Sequence, residues 1–515
     1  MGLESGSKTE SRVRFTDTSD IAGTLACLSA SVTVAALPWL LGGVIPLARV
    51  VLICGALLSA AFSMLSRALM WKKQRAVTGT SPISALPNIL VPVLALAAIG
   101  LIQMRPGTEG YSQSMDNAVN IDRQAEEAPP STHGSLSPAD TRTAVGTLLA
   151  IALLTLVGFE HCRSLKVLLA CAVVILGSGL AVGGSGILQY ANDSELALNQ
   201  HWKLGIRKAF GPFVNPNGAA GWLLLCLGTS AGWLAWYIKT ASIDARSSLM
   251  HESLRDRLPR ELHRFVASLS PAPVLALVFF LVLICSIAMT FSRGGILALL
   301  TCLTAALLLR ASLKRLPIVL LLLIAGAFGV MLLLDWLRIR NDVVAEITSM
   351  AELESSAASR IQHWLNSLCA VYDFPFFGTG LGSYRFATLP YQDDYTGLWF
   401  RYADNYFVEI LVESGIFGLI CYVSISLCGL QSALLMRAPT APGSNRRSRV
   451  TSSLRVAIGT LAIVITVSQV ISGFFDFGVG LPPDLPPCAC CSESVQGWSG
   501  RLHLSLLMKP ARTPT

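Results

Sequence analysis

The hydrophobic pattern of this 515-residue chain is dominated by long apolar runs that alternate with polar segments. A helix needs about 20 apolar residues to cross the roughly 30 Å hydrocarbon core of a bilayer. Eleven runs approach this length, and they lie near residues 21–41, 49–65, 84–103, 143–159, 167–188, 217–237, 272–291, 294–311, 317–336, 406–432 and 456–475. The pattern therefore predicts an all-α fold, a polytopic transmembrane helical bundle of about 11 spans.

The composition supports a membrane protein and argues against a soluble enzyme. Hydrophobic residues make up 53% of the chain and charged residues only 14%, whereas soluble domains carry about 25% charged residues. The net charge of +8 does not indicate a nucleic-acid partner, because the basic residues lie between the apolar runs. Cations placed in this way are typical of membrane topology signals.

The distribution of Lys and Arg predicts the orientation. If the N-terminus lies inside, the inner segments carry 23 of these residues and the longer outer segments carry 12. Cytoplasmic loops of membrane proteins are enriched in Lys and Arg. We therefore expect a cytoplasmic N-terminus and an extracytoplasmic active face.

The same pattern predicts a division of the chain into four parts. They are a cytoplasmic tail (1–20), N-terminal transmembrane helices (21–188), a core (189–475) and an atypical C-terminal tail (476–515). The core includes a large outer loop, residues 337–404, which we expect to form a mostly helical extracytoplasmic domain.

Two groups of cations lie at the predicted outer face. Arg207 and Lys208 precede an Asn-Pro-Asn sequence at 215–217, and Arg293 lies between two apolar runs, followed by two glycines. An arginine facing hydrocarbon costs several kcal/mol, so Arg293 should face a cavity or a partner. These cations are candidate ligands for a lipid-linked diphosphate. Headgroup contacts and snorkelling are the alternatives.

The large outer loop contains a predicted amphipathic helix and a glycine-rich segment. Arg360 and His363 are three residues apart and would share one helical turn. Four apolar residues should form one face that dips into lipid or onto the spans, namely Ile361, Trp364, Leu365 and Leu368. The glycine-rich segment 378–384 lacks the strand context of a nucleotide site and predicts a tight loop.

Acidic residues cluster where this loop enters the run at 406–432. Asp404 immediately precedes the helix, where it would serve as an N-cap or as a general base. Glu409 and Glu413 are four residues apart and should share a helix face. Acids at this depth are expected to face the protein interior.

In combination, these motifs resemble the O-antigen ligase and polymerase superfamily over residues 200 to 480. The resemblance rests on the Asn-Pro-Asn entry to a span, Ser292-Arg293-Gly294-Gly295, Gly378-Thr379-Gly380-Leu381-Gly382, Asp404-Asn405, Glu413-Ser414-Gly415 and Phe475-Asp476-Phe477. Their order around one large outer loop is the specific feature.

The resemblance implies a glycosyltransferase of the bacterial inner membrane that needs no metal and no cofactor. It would move a glycan from an undecaprenyl-diphosphate carrier to a lipid, glycan or protein acceptor, with inversion at the anomeric carbon. A polymerase of O-antigen or exopolysaccharide in the same family is an alternative. A transporter or flippase of lipid-linked sugars is the alternative from another class.

The resemblance also implies roles for individual residues. Arg293, with Arg207 and Lys208, would hold the diphosphate. Asp404 stands where ligases of the family have a histidine, and a carboxylate can deprotonate an acceptor hydroxyl as that histidine would. The remaining candidates for substrate binding are Arg360, His363, Glu409 and Glu413.

The C-terminal tail departs from the family pattern. After Phe477 the family continues into another apolar span, but here residues 482–488 are rich in proline and lead into a polar tail. A frameshift or a shortened gene model would produce such a tail. In that case one helix of the family fold is missing, and an inactive chain is one of the open alternatives.

Overall fold

The computed structural model describes residues 18–43, 45–75, 87–104, 134–162, 165–191, 209–248, 271–308, 350–391, 402–436 and 446–475. In these ranges the regular elements are helices, and the β contact is an isolated bridge between Phe210 and Phe213. The predicted helical class is therefore confirmed.

The N-terminal half of the chain forms six helices from its apolar runs. They are α1 (Thr18–Ala36), α2 (Pro46–Arg75), α3 (Leu90–Gln103), α4 (Pro138–His161), α5 (Leu165–Ala191) and α6 (Pro216–Ser248). Two short 3₁₀ turns, Leu37–Trp39 and Leu41–Gly43, connect α1 to α2.

The C-terminal half adds six helices, two of which belong to the predicted outer loop. They are α7 (Pro271–Met289), α8 (Arg293–Leu308), α9 (Met350–Asp373), α10 (Tyr384–Ala387), α11 (Tyr406–Met436) and α12 (Arg446–Phe475). The outer-loop elements are α9 and α10, together with a 3₁₀ turn at Leu389–Tyr391.

Five of these helices, α1, α2, α4, α5 and α11, are long and apolar enough to cross a membrane. Shorter apolar helices lie at Leu90–Gln103, Val274–Met289 and Val456–Ile471. The chain is thus a helical membrane protein. The run predicted at 317–336 and the tail 476–515 lie outside the described residues, so the total of eleven spans stays a prediction.

The run predicted at 406–432 is helical, as expected, but α11 doubles back at Gly415. The ring centroids of Tyr406 and Tyr422 are 4.9 Å apart, whereas the same stretch of straight helix would separate these residues by about 24 Å. Gly415 has φ +62°, and a Cβ at this position would lie 2.4 Å from the Phe376 carbonyl. Only glycine fits such a turn without strain.

The break at Gly415 is stabilised by the chain that follows α9. The backbone N–H groups of Ile416 and Phe417 donate to the carbonyls of Pro375 and Phe376, at 2.9 and 3.3 Å. These bonds pair backbone N–H groups that the first turn of a helix otherwise leaves without an acceptor. Helix α11 therefore consists of a short arm, residues 406–414, and a long arm, residues 416–436, which is long enough to span a bilayer.

Helix α12 connects the two regions that carry the predicted site residues. Near its C-terminal end, the Gln469 side chain donates to the Gly221 carbonyl of α6 at 3.3 Å. One turn further, a Cβ on Gly473 would lie 3.6 Å from Phe407 on the short arm of α11. The starts of α6 and α11 thus both lie against the C-terminal part of α12, at one end of the bundle. We call this end the site end.

Candidate active site

The loop before α11, residues 402–405, is held by one face of α9. The Trp364 indole N–H donates to the Ala403 carbonyl at 2.6 Å. The adjacent His363 side chain hydrogen-bonds to the Tyr402 backbone. The sequence placed Trp364 on one apolar face with Ile361, Leu365 and Leu368, in contact with lipid or with the spans, whereas its indole contacts the 402–405 loop.

Asp404 lies in this loop with a backbone conformation that its neighbours impose. Its φ is +50°, in the left-handed region that costs energy for a residue other than glycine. Its side chain is 37% exposed, whereas Ala403 and Asn405 on either side are buried. The Asp404 carboxylate is therefore accessible from outside the protein, unlike the residues on either side of it.

Arg360 of α9 pairs with this carboxylate. Its Nε lies 3.5 Å from Asp404 Oδ2, and the Arg360 side chain is 29% exposed. At this distance the guanidinium and the carboxylate form an ion pair that fixes the orientation of the carboxylate. The structure thus brings together two predicted site residues that are more than forty positions apart in sequence.

The N-cap of α11 is Asn405 and not Asp404. The Asn405 Oδ1 accepts the backbone N–H groups of Phe407 and Val408, at 3.0 and 3.3 Å. Side-chain oxygens of Asn commonly satisfy the first open donors of a helix in this way. Of the two roles predicted for Asp404, capping is therefore taken by its neighbour.

His363 is buried in the packing of α9 against the outer loop. Its Nε2 lies 2.8 Å from the Tyr384 hydroxyl, which in turn lies 2.6 Å from the Ser367 hydroxyl. Burial lowers the pKa of His363 to about 4, although the hydrogen bond to the Tyr402 backbone opposes this shift. Burial also raises the pKa of Tyr384. The His363 imidazole is thus neutral at pH 7 and lies in the protein interior.

Glu409 and Glu413 both accept backbone N–H groups from the outer loop. Glu409 Oε2 lies 3.4 Å from the Ala403 nitrogen, and Glu413 Oε1 lies 3.1 Å from the Tyr384 nitrogen. Glu413 is buried, as the sequence predicted for an acid at this position. The two carboxylates thus each hold a different segment of the outer loop against the short arm, and substrate binding by them stays a prediction.

The glycine-rich segment forms the predicted tight loop and packs on the end of the short arm. The backbone N–H groups of Thr379 and Gly380 donate to the carbonyls of Val412 and Glu413, at 2.9 and 2.8 Å. The buried Gln103 amide, at the end of α3, also donates to the Glu413 carbonyl at 2.8 Å. Helix α3 is thereby joined to the site.

Arg293 begins α8 at a tight turn. Phe291 has φ +53°, and the Ser292 hydroxyl accepts the Gly295 N–H at 3.0 Å. A Cβ on Gly295 would lie 2.5 Å from Ala220 Cβ, so α8 and α6 begin side by side at the site end. The side chain of Arg293 lies outside the described part of the structure, as do Arg207 and Lys208 entirely.

A buried ion pair that the sequence analysis missed anchors the outer loop to α4. Arg385 Nη2 lies 2.7 Å from Asp140 Oδ2, which also accepts the Ser137 hydroxyl at 2.7 Å. Ser137 followed by Pro138 and Asp140 is a recognisable helix start, but no sequence signal pairs it with an arginine 245 positions later. Among the described residues, no cluster of His, Cys, Asp or Glu is arranged to hold a metal ion.

Comparison with known proteins gives one informative match. Residues 277–423 match the family model of the O-antigen ligases. This segment contains all the predicted site residues except Arg207 and Lys208. A search of the curated proteins found no match. The match supports the resemblance to the O-antigen ligase superfamily that the motifs indicate, over residues 277–423 of this helical membrane protein.

Proposed function

We propose that this protein transfers a glycan from an undecaprenyl-diphosphate carrier to an acceptor at the outer face of the bacterial inner membrane. The observation that carries the proposal is the O-antigen ligase match at 277–423. Within this segment the paired Arg360 and Asp404 lie in the outer loop beside the first turn of a membrane helix. The alternation of Lys and Arg along the sequence supports a cytoplasmic N-terminus.

Asp404 acts as the general base in the proposed reaction. Its carboxylate removes the proton from the acceptor hydroxyl as the hydroxyl oxygen attacks the anomeric carbon of the donor sugar. A bond forms between these two atoms while the bond from the anomeric carbon to the phosphate oxygen breaks. Attack from the face opposite the leaving group inverts the anomeric centre. Undecaprenyl diphosphate leaves, and Asp404 returns the proton to solvent.

Cationic groups stabilise the leaving diphosphate without a metal ion. We assign this role to Arg293, with help from Arg207 and Lys208 in the loop before α6. Guanidinium donors bind phosphate oxygens bidentately and offset the charge that develops in the transition state. The paired N-termini of α6 and α8 supply positive ends of two helix dipoles at the same place, which supports this assignment.

A deletion strain complemented with wild type, Arg293→Ala or Asp404→Ala tests the proposal. We expect the deletion to accumulate outward-facing carrier-linked glycan and to lose surface polysaccharide. Wild type should restore display, and neither variant should do so at equal expression. Rescue by both variants would refute the assigned roles.

The accumulated product also separates the alternatives. Long carrier-linked chains that are not attached to an acceptor indicate a ligase, whereas single repeat units indicate a polymerase. Asp404 stands where ligases of the family have a histidine. A polymerase of the same family is therefore the second candidate. Intermediates that stay on the cytoplasmic side would show that the lost step is transport, and the transferase proposal would fail.

A further inference from the structure

Helix α9 has an unusual division of its surface into three faces. The face on the protein includes His363, Trp364, Ser367 and Ala370. A second face is exposed and apolar, and consists of Ile361, Leu365, Leu368 and Tyr372, with exposed fractions of 52%, 54%, 40% and 88%. A third face is polar and carries Gln362, Asn366 and Asp373. We call the second face the apolar stripe.

The three faces are separate sectors of the helix. At 100° per residue, the apolar stripe covers about 60° of arc and the polar face about 40° beside it. A helix between protein and water alone would have one polar exposed face. The additional apolar sector indicates a third environment that is neither water nor the described part of this protein.

The apolar stripe is continuous with a surface that faces lipid. Beyond α9, the Phe376 ring stacks on Phe417 with centroids 6.0 Å apart, and both rings are substantially exposed. From Phe417, exposed apolar residues continue along the long arm of α11 at helical spacing, including Ile420, Val423 and Leu427. In a helix that crosses the bilayer, such residues contact acyl chains. The stripe extends this surface beyond the end of the span.

We infer that α9 lies in the membrane interface, with its apolar stripe in the outer leaflet and its polar face in water. Amphipathic helices bind bilayers in this way, with the apolar face buried about 5–10 Å into the boundary between headgroups and acyl chains. The partner is the phospholipid surface itself. Arg360 and Trp364 extend from the same helix to the 402–405 loop. The depth of α9 in the bilayer would therefore determine the distance of Asp404 from the membrane surface.

This placement requires that the chain spans a membrane and does not depend on the proposed reaction. Site-specific photocrosslinking tests it in the full chain. p-Benzoylphenylalanine is placed at Leu365 or Tyr372 on the stripe, and at Gln362 or Asp373 on the polar face as matched controls. Each variant is irradiated in bilayers of phosphatidylethanolamine and phosphatidylglycerol, and its adducts are identified by mass spectrometry. All four positions are exposed. Replacement of Asp373 also removes the hydrogen bond that its carboxylate accepts from the Tyr391 hydroxyl, so Gln362 is the primary polar control.

We expect phospholipid adducts at Leu365 and Tyr372, with a yield several-fold above that at the two polar positions. Equal lipid yields on both faces would overturn the inference, as would an absence of lipid adducts at the stripe. Adducts between Leu365 and a second copy of the chain, or another segment of the same chain, would identify a protein occupant instead and equally contradict it. Monodisperse elution in detergent verifies that each variant is folded.

Discussion

Arg360 and Asp404 form an ion pair across the junction of the outer loop and the membrane helices, with Arg360 Nε 3.5 Å from Asp404 Oδ2. Arg360 belongs to α9, and Asp404 precedes α11. The pair is partly exposed and is worth about 1 kcal/mol or less in stability. Its importance therefore lies in the orientation and charge of the carboxylate.

Replacing Arg360 should slow transfer without unfolding the protein. We expect Arg360→Gln to reduce the rate up to about tenfold, which corresponds to about 1.4 kcal/mol, and Arg360→Lys to retain more of the rate because the charge is kept. Arg142 is an exposed arginine at the start of α4, and Arg142→Gln is the matched control. Initial rates of glycan transfer in membranes measure the effect. A wild-type rate for Arg360→Gln would contradict a role for the pair.

The turn at Gly415 should be intolerant of any side chain. Gly415→Ala introduces a Cβ 2.4 Å from the Phe376 carbonyl in a left-handed conformation, and we expect a loss of about 3 kcal/mol or more in folding free energy. Gly429 lies in the long arm of the same helix, where a Cβ would meet Thr466 at an ordinary 3.4 Å. Gly429→Ala should leave stability unchanged or slightly raised, since alanine favours helix by about 1 kcal/mol.

Thermal unfolding of the two alanine variants in detergent measures this difference. If Gly415→Ala melts at the same temperature as Gly429→Ala, α11 does not fold back as described.

Glu413 should act through its hydrogen bond and not through its charge. Glu413→Gln keeps an oxygen to accept the Tyr384 N–H, which lies 3.1 Å away, and we expect near-normal stability and transfer. Glu413→Ala leaves that buried donor unpaired, which costs about 1–3 kcal/mol. Melting temperature and transfer rate are measured together. A Glu413→Gln variant that is stable but inactive would instead support direct binding of substrate by the carboxylate.

Acidification should destabilise the packing of α9 through His363. Its pKa is about 4 in the folded protein and 6.5 in the unfolded chain, so between these values the unfolded state binds more protons. Stability is therefore complete above about pH 6.5 and falls as the pH decreases toward 4, by about 2 kcal/mol at pH 5. The difference in melting temperature between pH 7 and pH 5 measures this loss. It should be smaller in His363→Gln, and an equal loss in that variant would exclude His363 as its source.

The positions of the helices could be predicted from the apolar runs, but the shape of α11 could not. The run at 406–432 has no proline that marks a break, and the sequence around Glu413 and Gly415 is compatible with a continuous helix. The turn depends on carbonyls of Pro375 and Phe376, about forty residues earlier. Such tertiary partners leave no local pattern in the sequence.

The candidate site was predicted as a set of residues but not as an arrangement. The spacing of Arg360 and His363 predicted that they share one turn of a helix, and both residues lie in α9. It could not reveal that Arg360 extends to Asp404 while His363 is buried against Tyr384. The same limit applies to Asn405, since either residue of Asp404-Asn405 is a suitable N-cap.

The role of Asp404 as general base is tested most directly with purified protein in lipid nanodiscs, supplied with a carrier-linked glycan and an acceptor. Release of undecaprenyl diphosphate is measured for wild type, Asp404→Asn and the control Asp373→Asn, which changes an exposed acid on α9. We predict that Asp404→Asn lowers the rate by about 100-fold or more, as expected for loss of a general base, while the control keeps the wild-type rate. An Asp404→Asn variant as fast as wild type would contradict the proposed mechanism.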